Sequence, residues 1–272
     1  IMTASHETKD TVPFRQAVVG PTLAVAAFQL QRLFSRQRLL LAGLGVIFPA
    51  AVMLAVRRTV PEGLDRDLAV TMIYALVPEA VCMLGLLVTM CPAVADELER
   101  GTWIHVAIRP SGRRSLLIGS FLAAVSWTST VAILAAALAV AVSRVERPLP
   151  LVGMLAALVV LSTLGRAALF TLPAVILPKR ALVASVAVAL VVEYLAGFIP
   201  AVVNQATVSL RLRSLLVAWM GWRQKLPVEM QLLVDPQPAW VQIVSIGVLA
   251  TVLLVAAVKI LDFRQFPPSV EI

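Results

Sequence analysis

Long apolar stretches, each separated from the next by a short polar or charged segment, most restrict how this chain can fold. A helix needs about 20 consecutive apolar residues to cross a bilayer. Hydrophobic residues make up 60% of the 272 positions and charged residues only 14%, whereas charged residues supply about a quarter of a typical soluble domain. The sequence therefore predicts an all-α membrane protein with six spans, at roughly 39–56, 68–95, 115–143, 149–177, 181–200 and 240–261.

The basic residues predict which way these spans run. Lys and Arg are enriched in the short cytoplasmic loops of membrane proteins. Here the stretch from Arg109 to Arg114 and the pair Lys179-Arg180 carry little acid to offset them. We therefore place both termini in the cytoplasm and the chain in a plasma membrane, with a bacterial source expected. Residues 1–16 are polar and mixed in charge, so the first span rather than a secretory signal is expected to direct insertion.

Residues 1–38 are expected to form a cytoplasmic segment ahead of the transmembrane domain at 39–272. Pro21 could open a helix at its first turn, and apolar side chains then follow at helical spacing. Such a helix can lie in the headgroup plane, although an ordinary amphipathic helix packed on the spans fits the pattern equally well. The apolar stripe consists of Leu23, Ala27, Leu30 and Phe34, while Gln29, Arg32 and Arg36 lie elsewhere on the helix.

The segment 201–239, between the fifth and sixth predicted spans, combines tryptophans, arginines and leucines. Its leucines at 210, 212, 215 and 216 are too interrupted by charge to form a crossing. Trp and Arg together are typical of the membrane–water boundary. We therefore expect interfacial or re-entrant helices here, on the outer face of the membrane.

The most densely charged part of the chain lies between the second and third spans. An acidic run ends at a glycine that can close one helix, and the threonine after it can cap the next. A proline then stops this second helix, because the residue before proline disfavours helical geometry. The short helix between these corners is suited to docking on another protein; a solvated loop whose charges only set the topology is the alternative. The corner residues are Glu97, Glu99, Arg100, Gly101, Thr102, Arg109 and Pro110, and the helix runs from Trp103 through Ile104 and His105 to Ile108.

This segment resembles the region between the second and third spans of ABC-2 type transporter permeases. The family pattern is an acidic run, Gly-Thr, a short apolar helix, a proline, arginines and a Leu-Leu-x-Gly entry to the next span. Ser120 stands where the family often has Lys, and Trp103 where an aliphatic residue is common. The matching residues are Glu97-Leu98-Glu99-Arg100-Gly101-Thr102-Trp103, then Arg109-Pro110-Ser111-Gly112-Arg113-Arg114-Ser115-Leu116-Leu117-Ile118-Gly119.

The resemblance implies one half of an exporter. A second permease, identical or paralogous, would complete the pathway, and two cytoplasmic ATPase subunits would dock on the short helix from Trp103 to Ile108. ATP and Mg²⁺ would bind those subunits, since this sequence has no G-x-x-x-x-G-K-[ST] phosphate loop. The chain itself is therefore expected to be no enzyme and to hold no cofactor. Its apolar spans favour a hydrophobic or amphipathic substrate such as a drug, lipid or peptide.

Charged residues fall inside the second, fourth and fifth predicted spans: Glu79, Arg166 and Glu193. Charged groups at such depth usually face a bundle interior or water. They could form part of the pathway or of the permease–permease interface. A structural ion pair of Arg166 with one glutamate, or a protonated glutamate bonded to backbone, are the alternatives. Pro78 beside Glu79 is expected to loosen the helix and free a carbonyl at that depth.

Other functional classes fit less well. Basic residues flanking the spans account for the net charge of +8, and no basic run with interleaved aromatics favours nucleic acid. Cys82 and Cys91 fall on opposite faces of one helix, and His6 and His105 lie outside the spans, so neither a metal site nor an intramembrane hydrolase is expected. A proton-coupled secondary transporter that uses the intramembrane glutamates, or a membrane scaffold that does not transport, are the alternatives.

Overall fold

The computed structural model describes residues 14–59, 65–99, 108–109, 111–145, 147–195, 207–224, 234–235 and 237–264. All regular structure in this part of the chain is helical, which confirms the predicted all-α class. The helices are α1 Phe14–Leu33, α2 Arg36–Thr59, α3 Arg66–Glu99, α4 Gly112–Ser143, α5 Pro148–Ile176, α6 Ala181–Val188 with its continuation Ala189–Leu195, α7 Val208–Met220 and α8 Ala239–Phe263.

Five of the described helices, α2, α3, α4, α5 and α8, are long and apolar enough to cross a membrane. They coincide with the first, second, third, fourth and sixth predicted spans. Helix α6 coincides with the fifth, but its described part ends at Leu195, short of the roughly 20 residues that a crossing needs. Residues 196–200 of that prediction lie outside the described residues. The five long apolar helices mark the chain as a membrane protein.

Helix α1 begins earlier than predicted. It starts at Phe14 and contains Pro21, so the prediction that Pro21 opens this helix is wrong. A proline inside a helix lacks one N–H and removes one intrahelical hydrogen bond. The chain nevertheless stays helical to Leu33.

Helix α1 packs lengthwise on the first half of α4 and runs in the same direction. Its side chains Leu23 and Ala27, which belong to the predicted apolar stripe, face away from α4 and are exposed. Lengthwise packing fits an amphipathic helix packed on the spans better than a helix lying across them. The contacting pairs are Thr22 with Ser115, Val25 with Gly119, and Phe34 with Trp127.

Helix α3 leaves α geometry in the turn that contains Pro78, where the sequence predicts a loosened helix. Residues Ala75–Val81 form a π-helical turn, in which the amide of Cys82 donates to the carbonyl of Val77. The carbonyl of Pro78 is then available to side chains, and Ser162 Oγ on α5 donates to it at 2.6 Å. Turns of this kind inside α-helices are frequent at functional sites.

Contacts between helix ends show how the long helices are directed. At one end of the bundle, Arg38 at the start of α2 lies 3.9 Å from Asp96 near the end of α3. At the opposite end, Arg57 near the end of α2 donates to the carbonyl of Val142 near the end of α4 at 3.2 Å. Helices α2 and α4 therefore run one way and α3 the other. We call the end that carries Arg38 and Asp96 the inner end.

Helix α7 is buried between α5 and α8 instead of lying on the surface of the bundle. Leu212 and Leu215 are fully buried in an apolar core shared with Leu155 and Ile246. The leucines that looked too interrupted for a crossing are buried because neighbouring helices supply apolar partners. At 13 residues the helix is too short to cross, which fits the re-entrant alternative. Between α6 and α8, the described residues form one α-helix, α7, followed by a short 3₁₀ turn, Trp222–Gln224.

Candidate functional site

Arg166 is the centre of a buried ion cluster in the middle of the bundle. It lies on α5 and is fully buried. Its guanidinium forms an ion pair with Glu79 on α3 and donates to the freed carbonyl of Pro78. Nε of Arg166 lies 3.5 Å from Glu193 Oε2 on α6, an ion-pair distance somewhat beyond an ordinary hydrogen bond. The structure thus brings together Glu79, Arg166 and Glu193, the candidate intramembrane polar residues of the sequence analysis.

Glu79 is held from three sides. Besides Arg166, the hydroxyl of Tyr74 donates to its carboxylate at 2.7 Å. Ser209 Oγ on α7 lies 3.2 Å from the same carboxylate. Tyr74 precedes Glu79 by about one turn of α3, so the π-helical turn between them sets this contact. Every oxygen of the carboxylate therefore has a donor in place.

Glu193 caps the N-terminus of α7. Its carboxylate accepts from the backbone amides of Val208 at 3.1 Å and Ser209 at 3.0 Å, and Ser209 Oγ lies 2.6 Å away. Thr207 Oγ1 accepts from the amide of Leu210 at 3.3 Å. These bonds satisfy donors that a helix start leaves open. The partial positive charge of a helix N-terminus also favours a carboxylate at this position.

Two carboxylates and one guanidinium are in direct contact in the cluster. Arg213 of α7 adds a second positive charge that acts on Glu79 electrostatically, and the start of α7 contributes its amides and its dipole, worth about half an elementary charge. Ser209 has a single hydroxyl proton and can donate to only one of the two carboxylates at a time. The arrangement links α3, α5, α6 and α7 through charged and polar groups at one depth. The ion pairs and hydrogen bonds of the cluster therefore hold these four helices together.

Sequence reasoning missed the polar partners Tyr74, Ser162 and Ser209, of which Ser209 contacts both carboxylates. A serine in a polar outer segment carries no charge that would mark it as buried. Its position two residues after Thr207, a residue type that favours helix starts, was the available signal. That signal predicts a helix start, but it cannot predict that this start lies against Glu79 and Glu193.

The second predicted site begins at the inner end of α3, where α1 covers the acidic run. Glu97 is only 7% exposed, and Arg32 of α1 donates to it at 2.9 Å. Arg32 also pairs with Asp96 at 3.1 Å. Glu97 is therefore buried and paired with α1 through Arg32. Glu99 is the exposed acid of the run.

On the far side of the charged segment, the chain turns sharply into α4. Ile108 and Arg109 are exposed, and the amide of Gly112 donates to the carbonyl of Arg109 at 3.0 Å. Ser111 takes the left-handed conformation with φ 62°, which makes the corner that the sequence predicts at Ser111-Gly112. The other members of the predicted docking element, Arg100, Gly101, Thr102, Trp103, Ile104, His105 and Pro110, lie outside the described residues.

The start of α4 is tied to the ends of two other helices. Arg114 forms an ion pair with Asp262 of α8 at 2.8 Å, and Arg113 donates to the Asp262 carbonyl at 3.3 Å. Arg264 in turn donates to the carbonyl of Val175 at 2.8 Å, at the end of α5. Basic groups at such positions satisfy the last carbonyls of a helix and its negative end. Helices α5 and α8 therefore both end at the inner end.

Fold and site together define a class: a helical membrane protein with a buried ion cluster and an extensively paired inner end. No protein-family model matches this sequence, and no curated protein matches it either.

Proposed function

We propose that this chain is the membrane-spanning subunit of an ATP-driven ABC-2 type exporter. In this proposal, separate cytoplasmic ATPase subunits dock on the segment 100–110, and a second permease completes the pathway. In the same proposal the chain has six spans, the fifth at the 181–200 that the sequence predicts, and both termini are cytoplasmic. The exported molecule is hydrophobic or amphipathic.

The pairing of both flanks of the segment 100–110 is the observation that carries the proposal. On one flank, Arg32 fastens Asp96 and Glu97 to α1. On the other flank, Arg114 fastens the start of α4 to Asp262 of α8. A force applied between these flanks would be passed to α1, α3, α4 and α8 instead of being absorbed by a loose loop.

Exposed side chains at the edges of the segment support a docking role. Ile108 is 75% exposed at the inner end, beside Arg109, and Glu99 is exposed on the opposite edge. A single exposed apolar residue is ordinary on a protein surface, so Ile108 and Glu99 support docking through their positions at the two ends of the segment 100–110. In the proposal, the ATPase subunit contacts these residues and the segment between them, for which the sequence predicts a short helix.

The proposal is tested by ATP hydrolysis in lipid, with the chain purified in complex with an ABC ATPase subunit. Ile108→Asp should lower substrate-stimulated hydrolysis at least about fivefold, the effect of losing roughly 1 kcal/mol at an interface. Leu149→Asp is the matched control, because Leu149 is also highly exposed, at 82%, but lies at the opposite end of the bundle. Equal effects of the two substitutions, or none from Ile108→Asp and Glu99→Ala, would contradict docking at this segment.

A proton-coupled secondary transporter is the second candidate, and the ion cluster is the observation that favours it. The carboxylates of Glu79 and Glu193 both pair with Arg166, and Arg213 also acts on Glu79 electrostatically; in this candidate, a carboxylate released from that pairing carries the proton. Reconstituted protein would then take up substrate along a proton gradient without ATP, and Glu79→Gln would abolish that uptake. ATP-dependent transport that persists in Glu79→Gln would exclude this candidate and agree with the exporter.

A further inference from the structure

A lateral groove lies between α2, α3 and α4. Its volume is about 370 Å³, within the roughly 300–1,000 Å³ of small-molecule sites. The wall is apolar along most of its length, and Arg38 is the charged residue that lines it. Residues of the wall include Gly45, Phe48, Leu84, Val88 and Trp127.

The groove runs along the axis of α2 from the inner end towards the middle of the helix. With 24 residues, α2 is about 36 Å long at 1.5 Å per residue, close to the roughly 30 Å of a hydrocarbon core. Arg38 therefore lies at the level of the lipid headgroups on the inner side. Phe48 lies ten residues further on, about 15 Å deeper. The groove thus joins a headgroup-level cation to an apolar path that ends near the bilayer centre.

Arg38 has donors to spare. Its nearest ion-pair contact is with Asp96 at 3.9 Å, beyond hydrogen-bond distance, and Asp96 already accepts from Arg32 at 3.1 Å. Among the described residues, Arg38 takes part in no hydrogen bond with the protein. A guanidinium presents five N–H donors in a planar fork that suits a phosphate group.

We propose that this groove binds one acyl chain of an anionic phospholipid from the inner leaflet, with the lipid phosphate on Arg38. The charge at one end selects the headgroup, and the apolar wall takes the chain. Lateral openness admits a lipid directly from the bilayer: Leu44 and Leu84 on its rim are 64% and 63% exposed. The proposal holds whether or not the chain is part of an exporter.

Trp127 lines the groove and provides the probe. In a variant that keeps Trp127 as its sole tryptophan, with the other four replaced by Phe, its fluorescence is measured in bilayers that contain brominated phosphatidylglycerol or brominated phosphatidylcholine. Bromine quenches indole on contact. We expect Trp127 to be quenched by both lipids, with an apparent preference for phosphatidylglycerol of about fivefold. Arg38→Gln should reduce this preference to nearly one, while Arg36→Gln, an exposed arginine on the same turn, should preserve it.

A second pair of variants tests the apolar part. Gly45→Leu should fill the groove and reduce quenching by either lipid at least threefold, because a Cβ there meets Val131 and Val81 at an ordinary 3.8 Å and the longer side chain must extend into the cavity. Gly43→Leu is the control on the same helix, with nothing within 4 Å of its Cβ. An unchanged preference in Arg38→Gln, or equal quenching in the two glycine variants, would overturn the proposal. Absence of quenching by both lipids in the parent would also overturn it and would show that protein, such as a second copy, covers the groove.

Discussion

The guanidinium group of Arg166 contacts three other helices from its position on α5. Burying one charged group costs several kcal/mol even after the protein relaxes, so a membrane helix carries one only where partners compensate it. Here Glu79, Glu193 and the carbonyl of Pro78 provide that compensation. A cluster of this kind is sensitive to the loss of one member, because the members left behind are then buried without a partner.

Replacing Arg166 alone should therefore be strongly destabilising. We expect Arg166→Met to lower the free energy of unfolding by about 3–5 kcal/mol, the usual cost of breaking a buried ion pair from one side. Adding Glu79→Gln and Glu193→Gln to that variant should recover much of the loss, since no unpaired carboxylate then remains. Denaturant-induced unfolding in detergent micelles measures all three proteins.

Arg36→Met serves as the control for this series, because Arg36 is exposed at the start of α2. Its effect should stay within about 0.5 kcal/mol, as is usual for surface substitutions. If Arg166→Met and Arg36→Met had equal effects, or if the glutamine substitutions deepened the loss, the cluster would not stabilise the bundle.

For individual residues, the sequence predicted which charged side chains belong to the cluster better than it predicted their contacts with one another. A charge in an apolar span is visible from composition, and so is the proline beside Glu79. The contacts depend on residues far apart in the chain: Ser209 and Glu79 are separated by 130 positions. The same holds for Glu97 and Arg32, 65 positions apart. Only the packing of helices decides such pairs, and no local pattern encodes it.

Among the helices, α7 depends on a small residue in α5 for its place. A Cβ at Gly165 would lie 2.9 Å from a methyl group of Val208, the first residue of α7, and 3.4 Å from Ile246 of α8. The first distance is shorter than side-chain packing allows, and Val208 is buried with little room to move. The glycine therefore lets the start of α7 reach Glu193.

Gly165→Ala should displace the start of α7, in spite of the roughly 0.5–1 kcal/mol that alanine normally gains over glycine inside a helix. Hydrogen exchange at the amides of Ser209 and Leu210 should accelerate, since overpacking typically costs about 1–3 kcal/mol. Gly153→Ala is the matched control on the same helix, with nothing within 4 Å of its Cβ. Unchanged exchange in Gly165→Ala would mean that the site relaxes without moving α7.

Helices as elements were largely predictable, because backbone groups inside a bilayer must bond within their own segment. An apolar run of the right length therefore predicts a helix with nearly the correct ends, as for α4 and α8. The failures concern helices that depend on neighbours. Pro21 suggested a later start for α1 than the structure shows. The sequence placed α7 nearer the surface, because the apolar partners that bury it belong to α5 and α8 and are not visible in its own segment.

For the whole molecule, the inner end is more extensively paired than the opposite end among the described residues. The ion pairs Arg32–Asp96, Arg32–Glu97 and Arg114–Asp262 all lie there. These pairs join α1 to α3 and α4 to α8 at the inner end of the bundle. If basic loops face the cytoplasm, this paired end is the cytoplasmic one, and the start of α1 and the end of α8 lie on that side.

Cysteine labelling tests that orientation for the whole chain. Ile108 and Leu149 lie at opposite ends of the bundle and are 75% and 82% exposed, so Ile108→Cys and Leu149→Cys form a matched pair. In intact bacterial cells, a membrane-impermeant maleimide should label Leu149→Cys and leave Ile108→Cys unlabelled until the membrane is permeabilised. The parent chain is its own background control, since Cys82 and Cys91 are both buried and should not react. Labelling of Ile108→Cys alone in intact cells would reverse the orientation, place the segment 100–110 outside the cell and remove it from the reach of any cytoplasmic ATPase.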